Sequence, residues 1–128
     1  MTQTLRLGIA GLGTVGVGVV KILRNKAKLL RQRTGRELVI TAVSARDNCK
    51  DRGVDLSEYA WETDPVTLAQ REDVDIFVEL MGGHDGPALE ATKASLAAGK
   101  DVVTANKAML AHFGHKLATL AEEKAALI

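Results

Sequence analysis

The run Gly11-Leu12-Gly13-Thr14-Val15-Gly16 follows directly on the apolar stretch Leu5-Arg6-Leu7-Gly8-Ile9-Ala10. A strand feeding three glycines at this spacing, with a helix behind them, leaves a chain few alternatives. Gly11 permits a tight turn out of the strand. Gly13 removes a β-carbon where backbone must approach a pyrophosphate, and Gly16 lets the helix pack close to the strand. The free N–H groups and positive dipole end of that helix form an anion site. The pattern predicts a dinucleotide-binding unit touched by Gly11, Leu12, Gly13, Thr14, Val15 and Gly16, with the Thr14 hydroxyl as an added donor.

Beyond the turn, Gly16, Val19, Val20, Leu23, Ala27 and Leu30 recur at spacings of three and four, which predicts one helix from about Thr14 to Leu30. Gly35 ends the pattern. Leu38 to Ser44 is β-rich and nearly all apolar, as a buried parallel strand is. Arg46 to Glu58 reads as loop, with a short edge strand near Tyr59 to Thr63. Asp64-Pro65 reads as N-cap and N1 proline of a short helix. Asp75 to Met81 is the next central strand. A helix opening at Asp85-Gly86-Pro87 turns Leu89, Thr92, Leu96 and Ala97 inward and stops at Gly99. Asp101 to Thr104 is a further strand, and a last helix carries Phe113, Leu117, Leu120 and Ala121.

Strands alternating with helices, without hairpin signals, imply a parallel sheet covered on both faces. The expected fold is a three-layer αβα, doubly wound sheet of the Rossmann type, occupying residues 1–128 as one domain. Ala125-Ala126-Leu127-Ile128 reads as the start of a sixth strand, so the sheet is expected to stop before or at its last strand.

Composition narrows the function classes. A formal net charge of +1 gives no global pull toward nucleic acid or membrane, and aromatic residues at 3% are too few for base-stacking recognition. No apolar run approaches the ~20 residues of a membrane span, Met1-Thr2-Gln3-Thr4 lacks the charged and apolar regions of a signal peptide, and the lone Cys49 suits a reducing compartment; a cytoplasmic protein is expected. Seven cations and no acid lie between Lys21 and Arg36. With no recognition motif beside them, they read as a solvated face, or one paired with acids of another domain, rather than a nucleic-acid surface. His112 and His115 lack companion ligands nearby, and no metal site is expected.

Arg46 is the residue positioned to choose the cofactor. NAD binders usually place an acid after the second strand, whereas here Ser44-Ala45-Arg46-Asp47 brings arginine first, and a guanidinium can clasp a ribose 2′-phosphate. NADP is therefore expected ahead of NAD, with Asp47 the counterweight. Gly82, Thr104 and Lys107 follow later strands, at the edge where open α/β sheets bind ligands. A lysine there can pair with phosphate or ribose, or stabilise a developing oxyanion. Glu79, inside an apolar strand, suits a structural and a functional carboxylate equally.

Two stretches, Val78-Glu79-Leu80-Met81-Gly82-Gly83 and Gly99-Lys100-Asp101-Val102-Val103-Thr104-Ala105-Asn106-Lys107-Ala108, together with the glycine turn, closely resemble homoserine dehydrogenase. That family carries a GLGTVG turn, a VELIGG-like strand end and a VVTANK segment in this order, and the resemblance covers essentially the whole chain. It implies NAD(P)-dependent interconversion of L-homoserine and L-aspartate 4-semialdehyde, on the route to threonine, methionine and isoleucine. It places Lys107 near nicotinamide and substrate, as an auxiliary to catalytic residues of a later catalytic and dimerisation domain. That domain is absent from this chain, so the resemblance implies a cofactor half, inactive alone, that meets its small amino-acid substrate through the missing domain in a homo-oligomer. Other classes remain: a non-catalytic NAD(P)-sensing module, against which Arg46 argues, and another two-domain semialdehyde or dihydrodipicolinate-type reductase, against which the TANK segment argues.

Overall fold

Among the described residues ten elements follow one another: β1 (Gln3–Ala10), α1 (Thr14–Asn25), α2 (Ala27–Thr34), β2 (Arg36–Ser44), β3 (Ala60–Glu62), α3 (Pro65–Ala69), β4 (Ile76–Glu79), α4 (Pro87–Ala97), β5 (Asp101–Thr104) and α5 (Lys107–Glu123). They come from a computed structural model that describes residues 3–45, 52–81 and 86–128. The strands form one five-stranded parallel sheet in the order β3-β2-β1-β4-β5. From β1 the chain winds outward through β2 and β3, then returns to build β4 and β5 on the other side. The order reverses between β1 and β4, and ligands of such sheets bind outside the carboxyl ends at that reversal.

Strand alternation divides the apolar residues between two faces. Ile9, Ile40, Val43 and Val78 pack with Leu12 and Val20 on the α1 side. Ala10, Ala42 and Phe77 point the other way, into a core completed by Leu68, Leu89, Leu96, Met109 and Leu117 of α3, α4 and α5. The αβα layering and the Rossmann-type winding match the sequence expectation, as does the edge strand, which is β3.

Three local expectations are corrected. The helix foreseen from Thr14 to Leu30 is two, broken at Lys26 (φ −113°, ψ 17°). α1 buries Gly16 and Val20, whereas α2 buries nothing and leaves Ala27 exposed, so no core contact holds the second half in line with the first. Gly35, left-handed at φ 71°, then closes α2 and sends the chain into β2. In α4, Ala97 is exposed; Ala88, Ala91 and Ser95 are buried beside the expected Leu89, Thr92 and Leu96. The segment 125–128 forms no strand. It runs beside β5 with one backbone bond, Val102 N–H to the Leu127 carbonyl at 2.8 Å, while the Leu127 N–H is taken by the Asp101 carboxylate at 2.9 Å, so a ladder does not propagate.

Asp64 caps α3 through the Val66 N–H at 2.9 Å, with Pro65 at the first helical position. Behind α3, the Asp75 carboxylate takes two bonds from the Arg6 guanidinium, and Arg71 pairs with Asp73 and Glu62. These pairs tie β1 and β3 to the loop entering β4.

Candidate functional site at the strand reversal

The glycine turn sits at the reversal point. The Gly11 N–H donates to the Ser44 carbonyl of β2 at 2.9 Å, and the Leu80 N–H to the Ala10 carbonyl at 2.8 Å, so the ends of β2, β1 and β4 are drawn together. Gly11 adopts φ +101°, and a β-carbon there would stand 2.7 Å from the Leu80 carbonyl carbon and oxygen. At Gly16 a β-carbon would lie 1.9 Å from the Gly11 carbonyl oxygen. These two glycines are required by the chain's own packing. Gly13 differs: among the described residues nothing lies within 4 Å of its would-be β-carbon.

Gly13 is the N-cap of α1, with no side chain capping the helix and no acid in its first turn. The first helical bond of the turn runs from the Val17 N–H to the Gly13 carbonyl at 2.9 Å. Thr14 and Val15 beside it are exposed, Val15 to 59%. An uncapped helix start with open backbone is an anion cradle, and a pyrophosphate fits it by charge and by room. Leu12 faces the other way: its side chain is buried in the α1-side core, and only its backbone borders the turn.

The carboxyl ends of β4 and β5 form the neighbouring wall. Glu79 is fully buried; its Oε1 accepts from the Met81 N–H at 2.7 Å and its Oε2 from the Thr104 hydroxyl at 2.6 Å. Thr104 Oγ1 accepts in turn from the Asn106 N–H at 3.0 Å, and Asn106 Oδ1 caps α5 by accepting from the Met109 N–H at 3.0 Å. Lys107 is the exposed first residue of α5. The fold thus brings Gly11 to Gly16, Thr104 and Lys107 to the same edge of the sheet. Arg46 and Gly82, with Asp47, Cys49, Gly83, His84 and Asp85, lie outside the described residues.

Two arginines go beyond the sequence reading. Arg52 donates from Nε to the Leu12 carbonyl at 3.2 Å, with its guanidinium 5.6 Å from the Trp61 ring centre, so a side chain from the loop before β3 braces the glycine turn. No spacing marks Arg52; only the loop's path brings it there. Arg24, counted among the solvated cations, binds the Tyr59 hydroxyl at 2.8 Å and Glu58 at 3.0 Å. His112 and His115 are exposed on α5, and among the described residues no three His, Cys, Asp or Glu side chains gather as a metal site. Nor is any described helix long and apolar enough to cross a membrane.

The comparison that decides the family is a match of residues 11–128 to the family model described as Homoserine dehydrogenase, NAD binding domain. This chain belongs to that family. Homoserine dehydrogenase from Neisseria gonorrhoeae is 40% identical over 126 residues, which is 98% of this chain and 28% of the relative. The crystal structure of the Staphylococcus aureus homoserine dehydrogenase at pH 8.5 superposes with a TM-score of 0.88 at 34% identity, over 99% of this chain and 32% of that one. The Thiobacillus denitrificans homoserine dehydrogenase gives a TM-score of 0.89 at 33% identity, over 98% of this chain and 29% of that one. The chain spans about 28% of the length of the Neisseria relative. What it shares with homoserine dehydrogenases is their NAD-binding domain, a nicotinamide-dinucleotide-binding fold.

Proposed function

We propose that this chain is the cofactor-binding part of a homoserine dehydrogenase, holding NADP in preference to NAD. The observation that carries the reading is the open backbone at Gly13, at an uncapped helix start on the strand reversal, in a chain of this family. Gly11, Leu12, Gly13, Thr14, Val15 and Gly16 form the pyrophosphate cradle, Gly11 and Gly16 by shaping the turn and the residues between them by backbone N–H groups at the helix end. Arg46 takes the 2′-phosphate with paired hydrogen bonds. Gly82 and Thr104 border the other half of the dinucleotide, and the ammonium of Lys107 stabilises negative charge developing on the substrate oxygen. The bound nicotinamide supplies hydride exchange between L-homoserine and L-aspartate 4-semialdehyde.

The remaining length of the relatives supplies the substrate-binding and principal catalytic groups and the homo-oligomer contacts. The reaction belongs to threonine, methionine and isoleucine synthesis in the cytoplasm. Calorimetric titration of this chain with NADPH and NADH, paired with an assay of homoserine oxidation, tests the reading. Saturable binding, tighter for NADPH, without turnover is the expected result. Failure to bind either dinucleotide overturns it, and turnover by this chain alone shows that the catalytic groups are misplaced.

A further inference from the structure

Glu79 is the only Asp, Glu, Lys or Arg among the described residues that is fully buried. A carboxylate taken out of water is costly unless strong donors meet it, and an apolar residue would serve packing between Val78 and Leu80 better. Each oxygen of Glu79 is committed to a different loop. Oε1 holds the Met81 N–H in the turn after β4, at 2.7 Å. Oε2 holds the Thr104 hydroxyl at the end of β5, at 2.6 Å, and that hydroxyl holds the Asn106 N–H immediately before Lys107. The Glu79 carbonyl adds a third link, accepting from the Ala105 N–H at 3.3 Å.

The winding of the sheet says which part of the ligand these loops face. In a doubly wound dinucleotide fold the β1–β3 half reads the adenosine ribose, and the half beyond the reversal faces the second nucleotide. The turns after β4 and β5 belong to that second half. We infer that Glu79 is a positioning residue for the nicotinamide end: its carboxylate fixes the 80–81 turn and the 104–107 turn at one separation. The backbone of both turns, its N–H groups already engaged within the protein, and Lys107 are thereby held in place before the nicotinamide half arrives. This rests on the dinucleotide reading above.

The test compares two ligands on one protein. NADPH contains the nicotinamide nucleotide, and 2′-phospho-ADP-ribose keeps the adenosine end and pyrophosphate but lacks the nicotinamide ring. Titrated calorimetrically, Glu79→Gln is expected to bind NADPH about tenfold or more weakly than the parent, the scale of one disturbed charged hydrogen bond. Its affinity for 2′-phospho-ADP-ribose stays within about twofold of the parent on the same scale. Equal loss for both ligands means that Glu79 only supports the fold, and no loss for either removes its role; both overturn the inference. If Glu79→Gln does not fold, amide exchange on the parent chain decides. The Met81 and Asn106 N–H groups are expected to exchange more slowly with NADPH than with 2′-phospho-ADP-ribose, and identical protection overturns the inference. A parent chain that binds 2′-phospho-ADP-ribose yet shows neither difference refutes the Glu79 role alone, whereas one that binds neither ligand refutes the dinucleotide reading beneath it.

Discussion

Gly16 lies so close to Gly11 that a β-carbon on Gly16 would stand 1.9 Å from the Gly11 carbonyl oxygen. The obstruction is backbone, which has no rotamer to yield, so either the helix start or the turn must move. Gly16→Ala is therefore expected to destabilise the domain by at least the overpacking range of about 1–3 kcal/mol, read as a lower midpoint in urea unfolding. An unchanged midpoint would show that α1 can shift away from β1 at little cost.

Gly13 separates folding from binding. Its φ of −76° is open to any residue, and nothing described lies within 4 Å of its would-be β-carbon. Gly13→Val is expected to leave the unfolding midpoint nearly unchanged and to abolish dinucleotide binding, because the side chain occupies the space the pyrophosphate needs. Calorimetry on the folded variant checks it; parental affinity would make this glycine a feature of the turn alone.

Arg46→Ala is expected to weaken NADPH binding by about 1.5–3 kcal/mol, the range for hydrogen bonds to charged groups. NADH, lacking the 2′-phosphate, is expected to change far less, and added salt to narrow the preference. Titrating both cofactors against both proteins decides it. A parallel loss would mean that Arg46 holds its loop rather than reading the phosphate.

Acid stability is expected to depend on Asp73 and Asp75. Hydrogen bonds from Arg71 hold the Asp73 carboxyl below its ordinary value, and those from Arg6 do the same for Asp75, against an opposing effect of burial. A carboxylate depressed in the folded state stabilises fully above its unfolded value near 3.9 and loses that contribution as pH falls through the lower folded value. Both sites are partly open to water, so the effect is modest. Urea unfolding followed from about pH 6 down to about pH 2.5 should show stability falling at the acid end, and a shallower fall in Asp75→Asn. Identical slopes would assign the acid sensitivity to other carboxylates.

The sequence by itself determined the parallel αβα fold of the doubly wound type and the glycine turn after its first strand. It could do so because apolar periodicity records which face of each element is buried, and because glycines and capping residues such as Gly11, Gly35 and Asp64 act on their own backbone. Family resemblance, carried by the glycine turn and the segment ending at Lys107, was legible for the same reason: it is a property of contiguous residues.

Tertiary structure decided what passes between elements. The periodic stripe continues past Lys26, yet α2 finds no core to bury its apolar residues in, and the helix breaks there. Glu79 reads as an isolated carboxylate until the register of β4 with β5 sets it opposite Thr104, 25 residues away in sequence. Arg52 is one more polar loop residue until the path into β3 lays it on the Leu12 carbonyl, 40 positions earlier. Residues 125–128 have the composition of a strand, but the Asp101 side chain takes the Leu127 N–H that a ladder would need. In each case the partner is fixed by the register and path of elements far apart in the chain, and no local pattern of side chains encodes that distance.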